Sequence, residues 1–365
     1  MKPNGMGLAA ALALVALGAG CASTEQAMFR GGAGHAGVYD GMPGPVEPIE
    51  PAWERSTGAH SYSSPTVTAK RVYFGNSAGT LTAIDRASGE VVWTRDLGSH
   101  IEAAPALAGD HVIVATWDGA VRAVKADSGE TVWRFETDGV AYSAPTVTED
   151  HIYVGSADGH VYALERGSGE RLWRFRAGDG VHSSPTVANG HVYFGSLDGN
   201  VYAVSQSSGE EVWRFATDKP VFASPAVDER GVAIGGYDRA MHLLDADSGS
   251  ELWRFRTGNR IYASAALTAE SVIFASTDGY MYSVARDNGL KNWDYRADDK
   301  VYSSPAVANG AVYAGSRAGT MHALDTTSGK RRWTYDTEDT IYATPTPAGD
   351  RVFFATLDGR VIALE

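Results

Sequence analysis

Short apolar segments separated by turn sequences make up the chain from residue 50 onward. In residues 181–215, apolar side chains alternate with polar ones or run continuously over four segments. The predicted strands are 181–187, 191–196, 200–205 and 211–215. Asn-Gly, Asp-Gly and Ser-Gly dipeptides separate them, and these supply the positive φ angles that tight hairpins need. The unit therefore predicts a four-stranded antiparallel sheet, and no helical period appears in this part of the chain.

The same unit recurs with a step of 40 residues. The tryptophans that follow this step are Trp53, Trp93, Trp133, Trp173, Trp213, Trp253, Trp293 and Trp333. Proline keeps the step at seven positions between residues 65 and 345, and Ala265 replaces it once. A glycine after the second strand keeps the same step, with Arg239 as its one replacement. A fixed period of this length indicates a repeat architecture, and repeated four-stranded sheets predict the blades of a β-propeller.

The two ends of the repeat region complement each other. Residues 50–55 carry a tryptophan segment with no unit before it, and they predict a lone fourth strand. The last unit stops at residues 362–365, after its third strand. Pairing these two segments completes an eighth blade and removes an exposed sheet edge. The predicted fold is all-β, an eight-bladed β-propeller of four-stranded antiparallel blades, closed by pairing an N-terminal strand with the last blade.

The repeat resembles a known family. The three motifs of one unit are VYFGSLDG (192–199), VYAV (201–204) and SGEEVW (208–213). They resemble the PQQ-type propeller repeat, and the resemblance covers residues 50–365. The same blade occurs in quinone-cofactor dehydrogenases, in outer-membrane assembly lipoproteins of the BamB type, and in other secreted proteins. The resemblance therefore implies the fold far more specifically than the function.

The N-terminal region predicts export. Residues 1–20 contain Lys2, an apolar run at 8–17 and three small residues before Cys21, which is the pattern of a signal peptide. The apolar run is too short to span a bilayer. The formal net charge of −13 disfavours nucleic acid or an anionic membrane surface as a main partner, because both attract basic surfaces.

Cys21 is the single cysteine, so no intramolecular disulfide can form. Its place after the small residues resembles a bacterial lipobox, although Gly18 holds the usual leucine position and Leu17 precedes it. The resemblance implies lipidation of Cys21, and Ala22 after it is compatible with the outer membrane; simple secretion with a free cysteine is the alternative. Residues 21–49 are rich in glycine and proline and predict a flexible tether. Residues 29–39 also resemble a segment that precedes such repeats, and packing against the propeller is the other reading.

Residues that recur in every unit are best explained by structure, so functional candidates are sought where the repeat is broken. The start of each inner strand is expected at the same face as the hairpin between strands two and three. The candidates for partner binding on that face are Trp117, Tyr237, Arg239, Arg317, His60, His100, Arg260 and Lys300. Tryptophan, tyrosine and arginine are the residue types that anchor protein interfaces. Isolated exposed aromatics are also common on surfaces without any function.

Two further residues break an aromatic position on the inner strand. Six units have tyrosine or phenylalanine three residues before the proline position, whereas Glu102 and His182 stand there in the other two. They are candidates for a proton-transfer pair or metal ligands, or simply for polar residues lining a wet central channel. Their separation by two blades argues against direct contact. No catalytic residue and no metal-binding spacing are identified.

Three functions follow from these observations. The first is a non-catalytic periplasmic or cell-surface scaffold that binds protein partners, which the resemblance connects to outer-membrane protein assembly and to a lipid anchor facing the periplasm. The second is a quinoprotein dehydrogenase, for which the resemblance implies PQQ and Ca²⁺. That reading is disfavoured because the chain lacks the adjacent cysteines of such enzymes and because calcium needs six to eight oxygen ligands. The third is a secreted module that binds polysaccharide or peptide.

Overall fold

The computed structural model describes residues 28–39 and 50–365, so the predicted signal peptide and Cys21 lie outside the described residues. A short 3₁₀ turn at Phe29–Gly31 precedes the strands. The strands in chain order are β1 (Pro51–Ser56), β2 (Thr66–Val67), β3 (Arg71–Gly75), β4 (Thr80–Asp85), β5 (Val91–Asp96), β6 (Ala106–Ala108), β7 (His111–Ala115), β8 (Ala120–Lys125), β9 (Thr131–Glu136), β10 (Thr146–Val147), β11 (His151–Gly155), β12 (His160–Glu165), β13 (Arg171–Arg176), β14 (Thr186–Ala188), β15 (His191–Gly195), β16 (Asn200–Ser205), β17 (Glu211–Ala216), β18 (Ala226–Asp228), β19 (Gly231–Gly235), β20 (Ala240–Leu244), β21 (Glu251–Arg256), β22 (Ala266–Leu267), β23 (Ser271–Ala275), β24 (Tyr280–Ala285), β25 (Lys291–Arg296), β26 (Ala306–Ala308), β27 (Ala311–Gly315), β28 (Thr320–Asp325), β29 (Arg331–Asp336), β30 (Thr346–Ala348), β31 (Arg351–Ala355) and β32 (Arg360–Leu364). Within the described ranges, no helix has the length and apolar character needed to cross a membrane.

The strands form eight four-stranded antiparallel sheets, which confirms the predicted propeller. Blades 1 to 7 each contain four consecutive strands, from β2–β5 in blade 1 to β26–β29 in blade 7. Blade 8 contains β30, β31 and β32 and takes β1 as its outer strand, with Glu54 opposite Ile362 and Arg55 opposite Val361. The N-terminal strand therefore closes the ring as the sequence predicts, and the ring keeps no unpaired blade edge at its ends.

The innermost strand is shorter than predicted. The sequence predicts a strand over 181–187, whereas β14 is Thr186–Ala188. The preceding residues bond to neighbouring blades instead of their own sheet: Val181 N–H donates to the Ser156 carbonyl, and Ser184 N–H donates to the Ser224 hydroxyl. Pro185 has no N–H to offer a ladder. We call the six residues before each first strand, 180–185 in blade 4, the inner segment of the blade.

A tryptophan on each outer strand joins neighbouring blades. The indole N–H of Trp173 in blade 3 donates to the Gln206 carbonyl in blade 4 at 3.0 Å, and its ring packs on Gly209. A Cβ at Gly209 would lie 2.6 Å from the ring, and the residue also has φ +72°. The same bond to the carbonyl 33 residues ahead recurs in other blades. Burying such rings between blades therefore explains why tryptophan and the turn glycine share one period.

Candidate binding site at the channel mouth

Two belts of hydrogen bonds line the central channel. In the first belt, a backbone N–H donates to a serine hydroxyl of the next blade, and the pairs are Ala144 to Ser184, Ser184 to Ser224, Ser224 to Ser264, Ser264 to Ser304 and Thr344 to Ser64. In the second belt, a threonine hydroxyl donates to the carbonyl of the next blade's proline, and the pairs are Thr66 to Pro105, Thr146 to Pro185, Thr186 to Pro225 and Thr346 to Pro65. These small polar residues hold the blades together, and they leave the two ends of the channel to other side chains.

Residues 28–39, which we call the strap, cover the end of the channel beyond the threonine belt. Strap carbonyls accept backbone N–H groups from four successive blades at 2.8–2.9 Å, and the pairs are Val187 to Ala33, Val227 to Gly34, Leu267 to Ala36 and Val307 to Gly37. Phe29 lines the channel itself. This part of the predicted tether is therefore packed on the ring, and the channel is open mainly at its opposite end, which we call the mouth.

Two buried polar side chains fix the strap. The Arg30 guanidinium, 2% exposed, donates to the carbonyls of Ser264, Ala265 and His35. Burial lowers its pKa to about 10. The His35 ring lies 3.1 Å from the hydroxyls of both Thr146 and Thr186. Burial and the charge of Arg30 lower the pKa of His35 to about 3, so the ring is neutral at neutral pH.

An arc of aromatic rings in mutual contact surrounds the mouth. Its members stand three residues before the proline position and are Tyr142, His182, Phe222, Tyr262, Tyr302, Tyr342 and Tyr62. Neighbouring ring centroids are 4.3–5.6 Å apart around this arc. Glu102 occupies the eighth position, between Tyr62 and Tyr142. The mouth is therefore an aromatic ring with a single carboxylate in its gap.

Trp117 lies directly over that gap. Its backbone N–H donates to the His100 carbonyl, which brings the hairpin and the inner segment of blade 2 to one face, as expected. The indole stacks on His100 with centroids 4.2 Å apart and meets Tyr142 edge-on at 5.5 Å. Its Nε1–H donates to Glu102 Oε2 at 3.1 Å. Trp117 is 40% exposed, so much of its indole is presented at the mouth, and Glu102 lines the cavity beside it.

The carboxyl group of Glu102 is partly buried, and the groups around it do not offset its negative charge. Burial raises the pKa of its carboxyl group, and the hydrogen bond from Trp117 opposes that rise. Across residues 28–39 and 50–365, no lysine, arginine or histidine nitrogen makes an ion pair with it. Burial lowers the pKa of both His100 and His182, so these neighbours carry no charge at neutral pH. Glu102 is thus a half-buried acid among neutral rings.

A second aromatic cluster stands across the mouth. Tyr237 stacks on Phe222 at 4.6 Å, and the Arg260 guanidinium lies 4.6 Å above the Tyr237 ring. Arg239, which replaces the turn glycine, is exposed and has φ 67°, a conformation that favours glycine. This hairpin therefore keeps the geometry of its repeat at some backbone strain while presenting an extra cation.

The remaining candidates lie farther around the rim. Arg260 and Lys300 line a cavity of about 280 Å³ together with Tyr262 and Tyr302. Burial raises the pKa of Tyr342, and the charge of Arg317 opposes that rise, which places Arg317 near the ring. His60 is exposed, and its Nδ1 lies 2.9 Å from the Leu357 carbonyl. The basic candidates Arg260, Lys300 and Arg317 therefore lie at blades 6 and 7, away from Glu102 at blade 2, and Asp299 lies beside Lys300.

The structure groups some predicted residues and separates others. A cavity of about 600 Å³ is lined by Tyr62, His100, Glu102, Trp117, Tyr142, His182, Phe222 and Tyr262. Glu102 and His182 thus share one cavity wall, with Tyr142 between them. Sequence reasoning missed the bond between Trp117 and Glu102 and the role of Tyr142. The fold brings His100 and Trp117 into contact, although they are 17 residues apart in the sequence. That spacing could have indicated the bond between Trp117 and Glu102.

The mouth does not fit the calcium ion of the dehydrogenase alternative. Calcium prefers six to eight oxygen ligands. Glu102 is the only carboxylate on the cavity wall, and one of its oxygens is bonded to Trp117. Nowhere in the described ranges do three or more His, Cys, Asp or Glu residues form a group suited to a metal ion.

The chain resembles several known propellers. The family described as "Beta-alanine-activating enzyme, beta-propeller" matches residues 60–268, more than half of the chain, and the family described as "Outer membrane protein assembly factor BamB" matches residues 297–365. A comparison with curated protein sequences gave no match.

Solved structures share the fold at low sequence identity. BamB from Moraxella catarrhalis has a TM-score of 0.77 at 18% identity, over 87% of this chain and 100% of that one. The computationally designed Ika8 protein has a TM-score of 0.77 at 16% identity, over 85% and 97%. Quinohemoprotein alcohol dehydrogenase from Comamonas testosteroni has a TM-score of 0.80 at 13% identity, over 93% and 80%.

These likenesses establish the architecture, and the two family matches together span most of the repeat region. The chain is therefore a member of the PQQ-like repeat β-propeller family, and through residues 60–268 it belongs to the propeller family described for the beta-alanine-activating enzyme.

Proposed function

We propose that this protein is a non-catalytic scaffold of the bacterial cell envelope that binds a protein partner at the channel mouth. The observation that carries the proposal is that Trp117 lines the cavity at the mouth, while Tyr237, covered by Arg260, packs on two other residues of that cavity wall, Phe222 and Tyr262. Aromatic and arginine side chains of this kind anchor protein interfaces. The similarity to BamB supports a role in outer-membrane protein assembly, in which the partner is a component of that machinery.

The mouth supports binding better than catalysis. General acid–base chemistry needs a titrating group within hydrogen-bond reach of the reacting atoms and oriented by a partner. His182 instead lies between the rings of Tyr142 and Phe222, and Glu102 is held by an indole. Both arrangements favour a rigid contact surface.

The proposed attachment to the envelope follows from the N-terminal region. Residues 1–20 act as a signal peptide, Cys21 carries the lipid, and the tether continues toward the propeller at residues 50–365. Six residues, 22–27, lie between Cys21 and Met28, and an extended chain over these seven Cα-to-Cα steps spans at most about 25 Å. Because the strap covers the end of the channel opposite the mouth, an anchor at Cys21 leaves the mouth directed away from the membrane. Cys21→Ala should move the protein from the membrane to the soluble fraction; a wild-type protein found soluble would contradict the anchor.

Site-specific photocrosslinking in the native host tests the partner proposal. A photoreactive phenylalanine analogue at position 117 or 237 should capture a protein partner. The matched control is position 172, where Leu172 is 49% exposed on the outer strand of blade 3. Capture at the control position alone would place the interface elsewhere and overturn the proposal.

Two results would favour the other functions. Substrate turnover after addition of PQQ and Ca²⁺ to the purified protein would establish the dehydrogenase. Retention on a polysaccharide column that is lost in Trp117→Ala, without protein capture in cells, would establish a glycan-binding module.

A further inference from the structure

The repeat itself provides an internal comparison for the two aromatic clusters. Trp117 in blade 2 and Tyr237 in blade 5 occupy the same position of the repeat, three units apart. Tyr237 is covered by the guanidinium of Arg260, which comes from the inner segment of the following blade. The residue that corresponds to Arg260 next to Trp117 is Val140. The cation that completes the cluster in blade 5 is therefore missing from the sequence in blade 2.

The blade 2 cluster also has what blade 5 lacks, a carboxylate. Glu102 corresponds to Phe222 in the repeat, and it makes no ion pair within the described part of the chain. Aromatic faces attract cations through their negative π surface, and an unpaired carboxylate attracts them by charge. The rings of Trp117, Tyr142 and Tyr62 line the same cavity of about 600 Å³ as Glu102.

We propose that the cavity bounded by Trp117, Glu102 and Tyr142 binds an organic cation, an ammonium or guanidinium group. The proposal rests on the proposed function, since it assigns a chemistry to the partner group that enters the mouth. The group occupies the place that the Arg260 guanidinium occupies over Tyr237. One oxygen of Glu102 is bonded to the indole, and the other faces the cation.

Two sources can supply this chemistry. One is the side chain of a lysine or arginine on the partner protein, and the other is a small quaternary ammonium compound. Arg260 and Lys300 line a second cavity on other blades of the same rim, where they can bind an acidic group. A peptide whose basic residue is accompanied by an acidic one can contact both cavities, so the peptide source fits the whole mouth better.

Calorimetric titration of the purified protein tests the proposal. The probes are Nα-acetylarginine amide, Nα-acetyllysine amide and tetramethylammonium, and Nα-acetylcitrulline amide is the neutral isostere of the first. The cationic probes should bind, and citrulline should bind at least about tenfold more weakly because it lacks the charge. Equal affinity for arginine and citrulline probes would overturn the proposal. Binding of tetramethylammonium without the amino-acid amides would assign the site to small ammonium compounds.

Variants locate the binding in this cavity. Glu102→Gln and Trp117→Ala should each weaken cation binding by about tenfold or more. Leu172→Ala removes an exposed side chain from the outer strand of blade 3, away from the mouth, and should leave the affinity unchanged. Equal weakening in all three variants, or in none, would contradict the assignment.

Val140→Arg offers a test that removes no residue of the site. The new guanidinium stands in the register that Arg260 has over Tyr237, so it should fill the cavity and abolish binding of the added cation. Its unfolding midpoint, compared with the wild type, verifies the fold. Unchanged affinity in a folded Val140→Arg protein would overturn the proposal. If photocrosslinking captures a partner but no cation binds, the scaffold function stands and this inference fails.

Discussion

At the scale of single residues, the glycines of the repeat have two separable reasons to be glycine. Gly209 has a positive φ, and the Trp173 ring packs directly against it. Gly190 has nearly the same φ, +74°, and nothing lies within 4 Å of a Cβ built on it. The pair distinguishes backbone conformation from the packing between blades.

Gly190→Ala should lower the free energy of unfolding by about 1–2 kcal/mol, the cost of a left-handed alanine. Gly209→Ala should lose about 1–3 kcal/mol more, because its methyl group overlaps the indole. Chemical denaturation of both variants measures the difference. Equal losses would mean that the tryptophan moves aside at no cost.

His35 makes a pH-dependent contribution to stability. Its folded pKa of about 3 lies far below the value of an exposed histidine, so the unfolded chain takes up a proton near pH 6.5 while the folded ring stays neutral. Stability should therefore fall as pH decreases from about 6.5 toward 3, by up to about 1.4 kcal/mol per pH unit from this group. His35→Gln should remove that part of the slope. Unfolding curves of both proteins across this range, differing by a constant offset alone, would contradict the assignment.

At the scale of elements, the strap and β1 differ from the other segments of the ring in how they are held. Noncovalent contacts, and not a hairpin, join each of them to the blades on which it packs. The strap is held by carbonyl–amide bonds to blades 4 to 7 and by the guanidinium of Arg30. β1 is held by pairing to β32 and by Trp53, whose indole N–H donates to the Arg86 carbonyl at 2.9 Å. Each can therefore detach without breaking a hairpin.

Arg30→Met should loosen the strap because three carbonyls lose their donor. Hydrogen exchange should become faster at the amides of Val187, Val227 and Leu267, which bond to strap carbonyls. The amide of Val192 in β15 of the same blade should exchange at its original rate. Unchanged exchange at all four amides would show that the backbone bonds alone hold the strap.

Trp53→Ala should open the ring, whereas Trp93→Ala should not. Both indoles bond to the carbonyl 33 residues ahead, and losing either should cost about 3–5 kcal/mol. β1 lacks the covalent hairpin that ties β5 to β4, so only Trp53→Ala should expose the edge of β32 and form oligomers through it. Size-exclusion chromatography compares the two variants. Identical elution would mean that strand pairing alone keeps the ring closed.

At the scale of the whole molecule, the features that repeat could be predicted and those that occur once could not. The blades, the closing strand and the common face of Trp117 and His100 follow from a sequence pattern that recurs in eight units. The bond between Trp117 and Glu102 depends on side-chain rotamers at one place. The strap contains glycines that permit close packing, since a Cβ at Gly34 would lie 2.8 Å from the Val227 carbonyl oxygen. Composition alone does not distinguish such glycines from those of a flexible tether.

The hydroxyl belts have a consequence for how such a protein changes over evolution. Their donors and acceptors belong to serine, threonine and proline positions below the mouth, and none of the aromatic ring positions takes part in them. A substitution at one rim position therefore alters about an eighth of the mouth and leaves the two belts of hydrogen bonds beneath it intact. New ligand preferences can arise one blade at a time, by drift and selection at single codons, without passing through an unfolded intermediate.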